Sequence, residues 1–363
     1  MQATSNNKER ESGIEIFRIL AAFSVIILHY YSRAVSFDHS VVCDLSLKAI
    51  ESMCIWAVDG YIFISGFFLS KTNKRTICPI IKLLALSEII HIAVFLLRVI
   101  INHRSTDLKS VVIMLIPNSY FVILYIVLYI LSPYLNHVIN SLSEKGLKRF
   151  IFTVIGLFSV YPTVVDLSEE ILNNEWYGLD SIGAWGSQQG FNIVNFALIY
   201  CCGASLRRLG IPEFFEKKKN CISVFLLSTL IIFGWANVND LLSSHGLRSA
   251  WVYHNPLVIL QTFCLFVMFK NIKTQNKVIN SAGKAAFMSF LIHNYILDRI
   301  NIEKYVSRGT AFMLGHLLLW VVIIYIISWI INLVFDLITN HIWIKLKGIR
   351  IPNGVEDNNG GQL

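Results

Sequence analysis

Apolar runs of about 18 residues or more alternate along this chain with short polar segments, and runs of that length match the hydrocarbon thickness of a bilayer. About ten segments read as spans, most of them of that length: Gly13–Tyr31, Ile50–Leu69, Ile77–Ile101, Val111–Leu131, Leu147–Val165, Phe191–Leu206, Cys221–Val238, Pro256–Phe269, Ala285–Leu297 and Ala311–Leu337. The ninth is short and more polar than its neighbours, and the last is long enough to tilt or to continue along the interface. The expectation is an all-α integral membrane protein of about ten transmembrane helices. It divides into a tail 1–12, a membrane domain 13–340 and a tail 341–363. No internal repeat is visible, and the charge near the start of the first run, with no small-residue cleavage site behind it, argues against a cleaved leader.

Composition narrows the classes further. The 363 residues are 55% hydrophobic and 15% charged, whereas soluble domains are about a quarter charged. A soluble globule, a disordered chain and a secreted disulfide scaffold are excluded. The seven cysteines are scattered, mostly within or beside apolar runs, with no C-x-x-C and no zinc-like spacing. They are expected to pack as small hydrophobes, with no metal site and no bound cofactor.

The net charge of +8 would suit a nucleic-acid binder if it were gathered on one face. It is instead distributed by side. With the N-terminus inside, the inner segments hold 21 lysines and arginines and the outer segments 9, and Arg18, within the first span, completes the 31. That bias predicts that both termini are cytoplasmic, and it assigns the basic excess to topology and anionic lipid rather than nucleic acid.

Arg18 is also the start of the sharpest chemical feature. His29 follows eleven residues later in the same run, a spacing that returns to within about 20° of the same helix face and separates the two by about 16 Å along the axis. A charge inside a span costs at least about 2.5 kcal/mol and normally faces the bundle interior or a wet cavity. Snorkelling of Arg18 to the inner headgroups, with His29 joining Tyr30 and Tyr31 at the outer interface, accounts for the same spacing. So does pairing of Arg18 with Glu15.

The run of motifs resembles the acyltransferase 3 family of multispanning membrane acyltransferases. The matching residues are Glu9-Arg10, the Arg18/His29 pair, and Phe63-Ile64-Ser65-Gly66-Phe67-Phe68-Leu69, followed by Pro117-Asn118-Ser119-Tyr120-Phe121 with Tyr125. Next come Leu131-Ser132-Pro133-Tyr134-Leu135-Asn136, Tyr200-Cys201-Cys202-Gly203-Ala204 and Phe290-Leu291-Ile292-His293-Asn294, in the family's order. The resemblance implies an acyl-CoA donor, usually acetyl-CoA, on the cytoplasmic side, acceptors that are often surface carbohydrates, and Arg18 and His29 as the residues needed for activity. It also implies a bacterial cytoplasmic membrane as the setting. The chemistry agrees: a neutral histidine suits removal of a sugar hydroxyl proton, and the arginine fork suits the phosphates of the donor.

Other residues carry competing readings. Lys71, Lys74 and Arg75, after the second span, are either ordinary inside-positive charge or ligands for CoA phosphates. Asp59 either orients His29 or meets the acceptor. Glu88-x-x-His91 and Arg98 share one face of the third span, as a polar relay supporting the first span or as structural pairs. The motif is half of a carboxylate di-metal site, but it has no second copy. His293 is either part of the site or a packed helix residue, and His316 carries a weaker version of the same choice. In the acidic and aromatic segment Asp166–Gly190, Trp176, Asp180 and Trp185 suit either an acceptor sugar or an interfacial aromatic belt.

The function expected from the whole is transfer of an acetyl or other small acyl group from cytoplasmic acetyl-CoA to a hydroxyl of a cell-surface or envelope polysaccharide. The partners are the bilayer, acyl-CoA and a glycan or lipid-linked glycan. The alternatives are a transporter or flippase, or a polymerase, for lipid-linked glycan. A transporter would be expected to show repeated halves with broken helices at matching positions.

Overall fold

The computed structural model describes residues 11–102, 109, 112, 119–242 and 249–346. Glu9, Arg10, Pro117 and Asn118, most of the expected tail 1–12 and the tail beyond residue 346 lie outside the described residues. Among the described residues the chain is helical, with no β-strand.

The helices are α1 (Ser12–Ala34), α2 (Val41–Cys54), α3 (Ala57–Leu69), α4 (Cys78–Asn102) and α5 (Tyr120–Ser141). They continue with α6 (Glu144–Leu172), α7 (Ile193–Leu209), α8 (Lys218–Leu242), α9 (Pro256–Lys270), α10 (Lys277–Lys284), α11 (Ala286–Leu297) and α12 (Thr310–Leu346). Eight segments among the described residues are long and apolar enough to cross a membrane, α2 and α3 counting together as one. The two other expected spans are the 17-residue α7 and the 12-residue α11. Large apolar side chains such as Val41, Phe152 and Leu337 stand outward on the bundle. That is the surface a multi-pass membrane protein offers to lipid.

Helix α1 is the hub, packed by α2, α3, α9, α10, α11 and α12. Its first turn is stitched to the segment entering α10. Ser12 Oγ donates to Asn280 Oδ1 at 2.7 Å and accepts the Asn276 amide at 2.8 Å. Further along, Phe17 stacks on Trp56 (ring centroids 5.1 Å apart) and meets Phe266 of α9 edge-on at 6.0 Å. Phe63 of α3 closes on the same Phe266 at 4.9 Å.

The most extensive helix pairing joins α3 to α7, and two glycines explain it. A Cβ on Gly66 would collide with the Tyr200 carbonyl, and a Cβ on Gly203 would collide with the Phe63 carbonyl. Backbone therefore rests on backbone in both directions. In lipid no hydrophobic drive brings helices together, so such close contact is what holds them. From the far side α5 braces the pair, where Tyr200 donates to Asn136 Oδ1 at 2.8 Å and Asn136 Nδ2 donates to the Leu69 carbonyl at 3.0 Å.

Of the fourth expected span, Val111–Leu131, residues 111 and 113–118 lie outside the described residues. The helix described there runs from Tyr120 through Pro133 to Ser141, ten residues past the expected end. Polar residues that would end a hydropathy run, Ser132 and Asn136, are fully buried on its inner side. In α6, five residues from Gly156 to Val160 form a π-helical turn. It brings Ser159 inward to donate to the His254 carbonyl at 2.5 Å.

Gly203→Ala should lower stability by about 1–3 kcal/mol through overpacking, read as a lower thermal midpoint in detergent. Gly234→Ala in α8 has no atom near its new methyl and should leave the midpoint unchanged or raise it.

Candidate active site

A cavity of about 970 Å³ opens at the Ser12 end of α1, walled by α1, α3, α4, α5, α10, α11 and α12. Its charged lining is Arg18, Lys82, Lys284 and Asp336, three cations against one carboxylate. Lys82 Nζ sits 3.1 Å from Asp336 Oδ1, which ties α4 to α12, and Asn332 donates to the other Asp336 oxygen at 3.2 Å. Arg18 meets Glu15 Oε1 at 2.5 Å, with Glu15 buried behind it while Arg18 keeps 28% exposure toward the opening. Gly283 makes the space for Glu15, since a Cβ there would strike its side chain. Tyr61 donates to the Arg18 carbonyl at 3.1 Å, and Ser65 and Tyr125 share a hydrogen bond at 3.1 Å on the same wall. A cavity of this size takes an extended ligand. Its cations favour an anionic one, and the forked guanidinium suits phosphate oxygens.

His29 lies farther along α1 and does not line this cavity. Its half-buried ring stands beside His293 of α11, with centroids 4.6 Å apart. The last turn of α1 is fastened to α11 by Arg33. That guanidinium donates to the His29 carbonyl at 2.7 Å, to Asn294 Oδ1 at 3.1 Å and to Asp298 Oδ1 at 2.6 Å. Arg98 adds a looser approach to Asp298 at 3.6 Å and lies over the Tyr295 ring. The polar face of α4 bearing Glu88, His91 and Arg98 therefore meets α1 chiefly through α11, against which α4 packs.

The other sequence candidates fall elsewhere. Asp59 is buried on α3, where Asn195 of α7 donates to it at 3.4 Å, and no hydrogen bond among the described residues joins it to His29. Arg75 is 2% exposed and directs its donors at the carbonyls of Leu69 (3.0 Å), Thr72 (2.5 Å) and Lys74 (3.1 Å) and at Ser132 Oγ (2.8 Å). It thus closes the C-terminal end of α3 against α5. Neither it nor Lys71 or Lys74 lines the cavity. Both ring nitrogens of His316 are engaged, by Tyr30 and Trp320 at 2.8 Å each, which gives that histidine a packing role.

Trp185 is 82% exposed, packs edge-on against Tyr177, and lines a smaller pocket of about 200 Å³ with Asp166, Glu169 and Glu170. Asp180 accepts the Ile182 amide at 2.6 Å. Burial, with Asp166 nearby, holds its carboxyl above the usual carboxylate range. Trp176 is fastened through its amide to Glu169 at 2.9 Å. Of these three, only Trp185 faces the pocket.

Sequence reasoning passed over Lys82, Lys284, Asp336 and Arg33. The lysines and Arg33 were counted as sidedness charges, and their convergence is visible only in three dimensions. Asp336 did carry a signal, because with Asn332 it forms a polar pair one turn apart inside the last apolar run.

A family model described as an acyltransferase domain, that of acyltransferase 3, matches residues 11–335. Neither a comparison with curated proteins nor one with solved structures gives a match.

Arg75→Leu should cost about 3 kcal/mol or more, because it leaves helix-end carbonyls and Ser132 buried without their donor. The expected readout is a lower thermal midpoint and a poorer yield of monodisperse protein in detergent.

Proposed function

The chain belongs to the acyltransferase 3 family, whose domain spans nearly its whole length, and from this O-acyltransferase membership we propose a specific reaction. An acetyl group moves from acetyl-CoA, entering from the cytoplasm, to a hydroxyl of a cell-envelope polysaccharide. The observation that carries this reading is the cationic cavity at one end of α1 with His29 along the same helix.

Arg18 is the anchor for the donor's phosphates, joined by Lys82 and Lys284 from the facing walls. The pantetheine arm runs along α1 toward His29. There the acceptor oxygen attacks the thioester carbonyl, forming a C–O bond as the C–S bond breaks. A ring nitrogen of His29 takes the hydroxyl proton and returns it to the departing sulfur. No acyl-enzyme is required. The acceptor approaches from the Arg33 end; in the loop pocket Trp185 offers a flat apolar face and the neighbouring carboxylates accept from sugar hydroxyls. With both termini cytoplasmic, Lys82 and Lys284 of the inner basic segments line the cavity, which supports the same polarity.

The test is transfer of radiolabelled acetyl from acetyl-CoA to the native glycan in membrane vesicles. His29→Ala should reduce turnover by about a hundredfold or more at equal membrane abundance. Arg18→Ala should raise the donor KM by about 10–100-fold, the equivalent of lost charged hydrogen bonds. Full activity of His29→Ala would remove the base assignment. Unchanged glycan acetylation in a deletion strain, with accumulation of lipid-linked precursor, would favour the transporter or polymerase reading.

A further inference from the structure

A histidine that serves as a base needs one tautomer and one ring orientation, which a second side chain commonly supplies. The side chain beside His29 is His293. The two are 264 positions apart in sequence, yet their rings lie 4.6 Å apart at 52°. His293 is 1% exposed, and its Nδ1 lies 3.0 Å from the Ser289 carbonyl oxygen. A carbonyl can only accept, so Nδ1 carries the proton and the neutral ring presents Nε2 as a lone pair. That Nε2 has no hydrogen-bond partner among the described residues. A buried acceptor left unmet costs about 1–3 kcal/mol, and the neighbouring ring able to meet it is that of His29.

The register of the pair is also fixed. Arg33 grips the His29 carbonyl and the side chain of Asn294, the residue after His293, with one guanidinium. On the opposite side the Phe290 ring stands 6.0 Å from His293. Rings with centroids 4.6 Å apart are close enough for their edges to share a hydrogen bond, and catalytic hydrogen bonds often tighten only when substrate binds.

We propose that His293 is a positioning residue: its Nε2 accepts the N–H of His29, fixing the tautomer in which the other His29 nitrogen faces the acceptor hydroxyl. This rests on His29 being the base. It assigns His293 no contact with either substrate.

The test compares His293→Gln with His293→Met in membrane vesicles, with radiolabelled acetyl-CoA as donor and the native glycan as acceptor. The two replacements have nearly the same shape. Glutamine keeps an acceptor where Nε2 stood, and methionine removes it. The Met variant should lose about 10–100-fold in kcat, short of the roughly 10⁴-fold seen when a charged orienting partner is lost. Its KM for acetyl-CoA should stay within about twofold, because the cavity is remote from the change. The Gln variant should recover most of that kcat. A purely structural role would slow both variants alike, so equal loss overturns the proposal, as does a Met variant with wild-type kcat. His29→Ala is run alongside: if it is active, the base assignment fails, and if it is inactive while His293→Met is normal, only the positioning role fails. Nitrogen NMR shifts of the wild-type imidazoles need no variant. A His293 protonated at Nδ1 alone supports the assignment, and one protonated at Nε2 overturns it.

Discussion

Backbone contact between α3 and α7 is the constraint from which the rest of the bundle takes its spacing. With Gly66 over the Tyr200 carbonyl and Gly203 over the Phe63 carbonyl, neither helix can slide without opening a gap that lipid would not fill well. Helix α3 then becomes a fixed surface. It presents Tyr61 and Ser65 to the cavity, Asp59 to Asn195, and its aromatic residues to α9. Its open end is closed by Arg75 and Asn136. Because Tyr61 also holds the Arg18 carbonyl, the rigidity of the α3–α7 pair passes directly to α1, which carries Arg18 and His29.

Three of the cations along α1 and the cavity are met by a carboxylate of the protein before they are offered to a ligand. Glu15 lies behind Arg18, Asp336 beside Lys82, and Asp298 against Arg33. The arrangement moderates the cost of placing ions at membrane depth. It also gives the cavity a fixed field. Arg18 is held by a buried carboxylate on one side and remains open on the other, so its guanidinium is oriented before an anion arrives.

Much of this could be read from the sequence, for identifiable reasons. Apolar run length reported the helices because the bilayer imposes one length scale, and the Arg18/His29 spacing reported a shared face because α1 is continuous from Ser12 to Ala34. The family resemblance agrees with the match over residues 11–335. What failed to show has equally physical causes. The helix of the fourth expected span ends later than the sequence suggests because inward-facing Ser132 and Asn136 look like the end of a run to a hydropathy count. Arg75 looked like a free cation, but its partners are backbone carbonyls, which leave no mark in side-chain patterning. Lys82 and Lys284 were hidden among sidedness charges that they resemble in every local respect. The nearness of His293 to His29 depends on how α1 packs against α11, and no periodicity within either helix encodes it.

The separation of Arg18 from His29, about 16 Å along α1, makes the helix a ruler. On the proposal that Arg18 anchors the donor and His29 is the base, a donor gripped at the cavity end reaches the histidine only if its own reach matches that distance. On that proposal the enzyme selects carriers by length before it senses the acyl group they bear. A stubby activated acyl compound, however reactive, would find the anchor and the base in different places. Free energy gathered from phosphates at one end is felt as local concentration at the other, and the rigid rod between them sets which molecules can make that conversion.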